Sequence, residues 1–308
     1  MTDWIALYLK LAAVLTPVVA CVAVGSLWGL RGNDFPGQFV GKFTVGVTVP
    51  ALAFHTLVTT GLDDAILIQV GLITVVGLAL CAVFGAIVLR VLGLPAASLT
   101  PATIYPNAGN LGLPVAALAF GENGLAVAIA VFTVCSLVQH STTAWWLGRV
   151  SGHAGSASGS KTTSVPIIVA CLAAVAVKAG GITLPEPVLD AAHLLGSLAV
   201  PMMLVSLGYA LVTVTRKSLG QGAVVGITRI VGGLFAGVIV ALVFNLPPMV
   251  LAVIQMQLLM PVAVVSYLYS DRLTPYGAVG AGSVVASTLV FLVIAPLMLM
   301  WAATVPAG

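Results

Sequence analysis

Charge is what this sequence lacks most. Only 6% of its 308 residues are Asp, Glu, Lys or Arg, 60% are hydrophobic, and the mean hydropathy is +1.19. A soluble domain carries about 25% charge, so we expect an integral membrane protein. The net charge of +3 is small, and no nucleic-acid partner is expected. Paired cysteines are missing too. Cys21, Cys81, Cys135 and Cys171 all lie inside apolar runs without paired spacing, so neither disulfides nor a metal cluster is expected. Absent as well are a His-Glu-x-x-His motif, a nucleophile elbow and paired carboxylates deep in an apolar run. All eight acidic residues lie at or near the ends of such runs. An intramembrane enzyme is therefore disfavoured, and so is a receptor, which would usually carry a soluble module. The first apolar run, Trp4 to Leu30, is too long for a signal peptide and has no cleavage pattern, so no cleaved leader is expected.

What is present is a series of long apolar stretches. A spanning helix needs roughly 20 apolar residues. Polar and Gly/Pro punctuation divides the chain into ten candidates near 4–30, 40–61, 65–92, 98–120, 124–148, 164–181, 187–214, 220–245, 248–270 and 275–301. Alternating the connections between two sides collects Arg31, Lys42, Arg90, Arg149, Lys161, Arg216, Lys217 and Arg272 on one side. The other side receives Lys178 alone among cations, with Asp3, Asp63, Asp64, Glu122, Glu186 and Asp190. Lys and Arg mark the cytoplasmic side. We therefore expect a multi-pass protein of the cell membrane with both termini outside the cytoplasm.

The longest polar connection, Ser151 to Thr163, is a flexible cytoplasmic linker by composition. It separates residues 1–150 from 164–308, five spans from five. An odd number per half inverts the second half relative to the first, as in inverted-repeat transporters. The expected fold is all-α, with ten transmembrane helices as two inverted five-helix repeats.

Two stretches interrupt that regularity. Thr100 to Gly121, TPATIYPNAGNLGLPVAALAFG, carries three prolines, three glycines and two asparagines. Pro106 and Pro114 each remove a backbone donor and disturb the preceding turn. Gly109 and Gly112 accept angles other residues resist. The fourth helix should break here, and broken backbone in a bilayer survives only inside protein or beside a polar cavity. The ninth stretch, Val250 to Ser270, has Pro261 near its middle with Gln255 and Gln257 just before it. Interrupted segments in corresponding positions of two halves point to a transport site.

These residues resemble a known family. Asn107-Ala-Gly-Asn-Leu-Gly112-Leu-Pro114 resembles the Asn-x-x-x-x-Gly-x-Pro motif in the fourth span of the auxin efflux carriers. Phe120-Gly121-Glu122 resembles that span's exit, and Gln257-Leu-Leu-Met-Pro261 is similar to the Gln-x-x-x-Pro of the ninth. Pro50 to Phe54 and Ala199 to Gly208 look like the second and seventh spans. The resemblance implies a bile acid:sodium symporter-like arrangement with crossed, broken helices 4 and 9. It implies an elevator motion of spans 3–5 and 8–10 against a scaffold of spans 1, 2, 6 and 7, and a homodimer through that scaffold. It also implies export of small organic anions such as carboxylates. The sequence departs from the family at Val165-Pro166, where Asn-Pro often stands. It departs again at Val262, where the plant exporters are polar, and in a central loop of only thirteen residues.

The expected substrate contacts are Asn107, Asn110, Gly112, Pro114, Gln257, Pro261 and Val262. Half-helix amino termini should receive the anion, with the Asn107 and Gln257 amides adding neutral hydrogen bonds. Gln255 lies two residues from Gln257, on another helix face, and reads as structural. Arg229 lies some ten residues inside its span; it could act electrostatically, but snorkelling to the cytoplasmic surface is the favoured expectation. Lys10 should snorkel outward. His55 and His140 could couple protons, although fixed hydrogen bonds are the plainer reading. Trp145 and Trp146 read as an interfacial belt. No cofactor is expected beyond proton or sodium coupling. The alternative to an exporter is a sodium-coupled symporter, with Thr133, Ser136, Gln257 and Ser266 as oxygen ligands.

Overall fold

The structure is a computed structural model describing residues 16–17, 19–59, 64–150, 166, 169–170, 172–212 and 216–305. Among these residues the chain is helical and forms no strand. The helices are α1 (Val19–Leu30), α2 (Gly37–Phe43), α3 (Val49–Thr59), α4 (Asp64–Val91), α5 (Ala96–Ile104), α6 (Leu113–Val150) and α7 (172–179). They continue with α8 (Glu186–Ser197), α9 (Ala199–Leu211), α10 (Arg216–Val243), α11 (Pro248–Leu259), α12 (Val264–Leu273) and α13 (Gly277–Ala302). Six helical runs among the described residues are long and apolar enough to cross a bilayer. α4 and α10, at 28 residues each, reach about 42 Å at 1.5 Å per residue, more than the ~30 Å hydrocarbon core.

The outward surfaces of these helices are apolar. Ile68, Leu72, Val83 and Ile87 on α4, Leu234, Val238 and Leu242 on α10, and Leu289, Val293 and Leu297 on α13 are all exposed. That pattern is costly in water and compatible with lipid. Inside, one apolar cluster joins α4, α6, α10, α11 and α13, and a second joins α3, α5, α9, α12 and α13. Small residues bring backbones together, as in membrane bundles generally. A methyl added at Gly25 of α1 would meet the Val205 carbonyl of α9, and one at Gly208 would meet the Val22 carbonyl.

Four features interrupt the helices. Two are widened π turns, Thr44–Thr48 between α2 and α3 and Ala108–Gly112 before α6. Each ends two residues before a proline, Pro50 or Pro114. A proline ring clashes with the carbonyl four residues earlier, and a widened turn carries that carbonyl away. Proline alone does not impose the turn, since Pro296 sits inside α13 without one. The third feature is Gly121, whose φ of 64° and ψ of −153° kink α6; a positive φ there suits glycine. The fourth is the extended break at Met260–Ala263 between α11 and α12.

The break in the fourth stretch falls at Tyr105–Asn107, after which helical backbone runs on through Pro114. Gly109 and Gly112 do not supply unusual angles as expected, since neither has a positive φ. They supply space. A methyl at Gly109 would lie 2.7 Å from the Phe132 ring, and one at Gly112 would collide with the Gln257 amide. The linker 151–163 and Lys10 lie outside the described residues.

Candidate functional site

The two interrupted stretches meet at their interruptions. Pro106 and Val262 face each other as a single antiparallel bridge. The Asn107 N–H donates to the Pro261 carbonyl at 2.7 Å, and the Ala263 N–H donates to the Tyr105 carbonyl at 3.0 Å. Breaking two helices strands backbone groups, and here each break satisfies part of the other. The Val262 N–H is taken up by Ser287 Oγ of α13 at 3.0 Å.

What remains unsatisfied faces a cavity. A helix start leaves its first N–H groups without intrahelical acceptors. The N–H groups of Ala108, Gly109 and Asn110 at one start, and of Val264 and Val265 at the other, have no acceptor among the described residues. All five residues line one small cavity with Asn107, Phe132, Cys135, Ser136, Gln139, His140, Val49, Leu52 and Met203. Both helix starts therefore present partial positive charge to the same space. Asn107 is 6% exposed, and its side chain makes no cap hydrogen bond to the turn it precedes. The cavity's free volume is about 40 Å³, enough for one to a few waters and too small for an organic anion without movement of a wall.

Of the seven expected contacts, Asn107 and Asn110 line this cavity. Val262 pairs with Pro106, which lines the cavity, and the Pro261 carbonyl accepts from the Asn107 N–H. Gly112 and Gln257 pack against each other away from it; Gln257 is completely buried, and neither polar atom of its amide has a partner among the described residues. Pro114 belongs to the first turn of α6. Gln255 is structural as expected, its Nε2 donating to the Gly237 carbonyl at 3.2 Å.

Arg229 does not snorkel. It is completely buried; Nη2 donates to the Leu258 carbonyl at 2.6 Å and Nη1 to Cys81 Sγ at 3.3 Å, while Nε has no acceptor among the described residues. The reason is local. Gly233, one turn along α10, lets that helix approach until an added methyl would strike the Leu258 carbonyl. A cation at the last turn of α11 then meets the negative end of that helix.

His140 lines the cavity and shares a 2.9 Å hydrogen bond between its Nδ1 and the Tyr269 hydroxyl. His55 is elsewhere, its ring 4.9 Å from that of His193 on α8. The four hydroxyl and amide residues considered as sodium ligands are not gathered on the cavity. Ser136 lines it; Ser266 accepts from Gln139 Nε2 at 3.0 Å; the Thr133 hydroxyl is buried without a partner among the described residues; and Gln257 packs against Gly112. Gln139 was not among the expected residues; its only sequence signal is polarity within an apolar run. Trp146 is exposed and donates to the Ala97 carbonyl at 2.7 Å, and Arg149 lies 4.2 Å over the exposed Trp145 ring. No protein-family model and no curated protein matches the chain.

Proposed function

We propose that this protein is a secondary transporter of small organic anions, of the auxin efflux carrier type, working by alternating access. On this reading the ten stretches are ten spans in two inverted repeats; α5 with the part of α6 before Gly121 is helix 4, the rest of α6 is helix 5, and α11–α12 is helix 9, crossed with helix 4. The observation that carries the proposal is the pair of helix starts whose free N–H groups converge on one cavity. Such termini favour anions, and they do so without a fixed counter-ion, which suits cargo that must be released. Asn107 and Asn110 would add amide hydrogen bonds to a carboxylate. Phe132, Val49, Leu52 and Met203 would contact an apolar body.

The cavity's walls support an elevator motion. Val49 and Leu52 of α3 and Met203 of α9 line it together with residues of α6 and α12. These are the groups that the family resemblance assigns to scaffold and transport domain. Sliding one past the other would enlarge the cavity and turn it toward each face of the membrane.

The test is a thermal-shift screen of carboxylates, with and without sodium and at two pH values, followed by flux of the best binder into liposomes. A ligand at 100 times its dissociation constant stabilises by about 2.7 kcal/mol. Asn107→Ala should lose most of that shift, and Asn107→Asp all of it, because a carboxylate there would repel the anion. Absence of stabilisation by any carboxylate would overturn the proposal. A shift that appears only with sodium would select the symporter alternative.

A further inference from the structure

A second cavity of about 570 Å³ lies along the same helices. It is lined by Gln38 and Lys42 of α2, Ser206 and Tyr209 of α9, and Tyr267, Asp271 and Arg272 of α12, with Phe35. It continues the small cavity along two helices. Met203 faces the small cavity and Ser206 the large one, three residues apart on α9; Val264 and Val265 precede Leu268 in the same way on α12. Tyr267, buried, lines the large cavity three residues after Val264, with its hydroxyl 3.5 Å from the Ser206 carbonyl. That distance is at the limit of a hydrogen bond, so the contact holding the Tyr267 ring is weak.

The charges of this cavity are not balanced within it. Lys42 and Arg272 form no ion pair with a carboxylate among the described residues. Asp271 is directed elsewhere. It packs against Gly277 in the first turn of α13, where the helix dipole favours a negative charge. The Arg272 side chain lies 3.4 Å from where a methyl on Gly41 would stand, so it crosses from α12 to α2 and is held over the cavity. Phe35 and Tyr209, stacked at 4.9 Å, add an aromatic wall.

We propose that this cavity is a vestibule that captures organic carboxylates for the Asn107 site, with Lys42 and Arg272 binding the carboxylate and Phe35 and Tyr209 the apolar body. A concave site whose two cations outnumber its one carboxylate carries net positive charge and concentrates anions. The proposal rests on the transport reading for its purpose, but not for its test.

The test is charge-selective labelling of the purified protein in detergent. Gln38→Cys is introduced with Cys21 and Cys171 replaced by alanine. Its reaction rates with an anionic and a cationic methanethiosulfonate are compared, with and without Lys42→Gln and Arg272→Gln together. The ratio of anionic to cationic rate should fall about tenfold when both cations are removed. Millimolar benzoate should slow the anionic reagent only while they are present. Unfolding midpoints check that the variants remain folded. A ratio that does not change, or benzoate protection that survives removal of both cations, overturns the vestibule. Labelling as expected in a protein that moves no carboxylate sinks the transport reading and leaves the vestibule standing; flux without the labelling contrast does the reverse.

Discussion

The two helix breaks meet, yet they differ in what surrounds them. The break at Tyr105–Asn107 opens onto a cavity, with Asn107 and Asn110 on its wall and three free N–H groups beside them. The end of α11 just before the second break is sealed. Gln257 is buried against Gly112, Arg229 holds the Leu258 carbonyl, and Ser287 holds the Val262 N–H within the second break itself. The chain faces the cavity again from Ala263, at the end of that break, through Val264 and Val265. Similar Pro-containing punctuation thus gives one element that presents polar groups and one that anchors them. The side chains that satisfy or block each break decide which is which.

The largest expected effect is on the contact between the breaks. Gly112→Leu should prevent α6 from approaching α11, because even one added carbon collides with the Gln257 amide. Overpacking usually costs about 1–3 kcal/mol, occasionally more, and here we expect the upper end. Size-exclusion and thermal unfolding in detergent should show little folded protein. Gly109→Ala tests the same idea on the cavity side and should cost less, because the obstructing atom there is the edge of the Phe132 ring.

Next is the anchor. Arg229→Gln removes a hydrogen bond to a charged donor, worth about 1.5–3 kcal/mol, and should lower the unfolding midpoint accordingly. Carboxylate affinity of the protein that remains folded should change by less than about threefold, since Arg229 is not on the cavity. A collapse of affinity at unchanged stability would show that the cation serves the ligand. Gln257→Met should move stability the other way. Burying a polar group without partners costs about 1–3 kcal/mol in proteins, and a methionine of similar reach relieves that cost, so we expect a gain near 1 kcal/mol. The smallest change is Gln255→Ala, which removes one hydrogen bond to Gly237 and should cost about 0.6 kcal/mol, typical of such bonds between membrane helices.

Much of this architecture is legible in the sequence because proline, glycine and asparagine punctuate an otherwise apolar text. The breaks near Pro106 and Pro261 and the interhelical hydrogen bond of Gln255 follow from residue type and spacing; the non-helical Gly121 falls where the family resemblance puts the exit of the fourth span. The partners do not. Position along α10 gives the depth of Arg229 but not the close approach at Gly233 that puts a carbonyl within its reach. Burial at 0% exposure then leaves it no route to the surface. Gly112 and Gln257 both belong to the motifs that look like binding residues, and each is used by the other. Gln139 and His140 reach the cavity from the far half of α6, an orientation set by the kink at Gly121 and not by any local pattern.

The central claim is that the first break holds the ligand and the helix end before the second only anchors the backbone, off the cavity. Asn107→Ala and Gln257→Met test it most directly, each titrated with benzoate while the ligand-induced rise in unfolding midpoint is followed. We expect Asn107→Ala to keep its unliganded midpoint within the range of a lost surface contact and to lose most of the benzoate shift. Gln257→Met should keep the full shift on a raised baseline. A full shift in Asn107→Ala together with none in Gln257→Met would contradict the account and place the ligand on the other break.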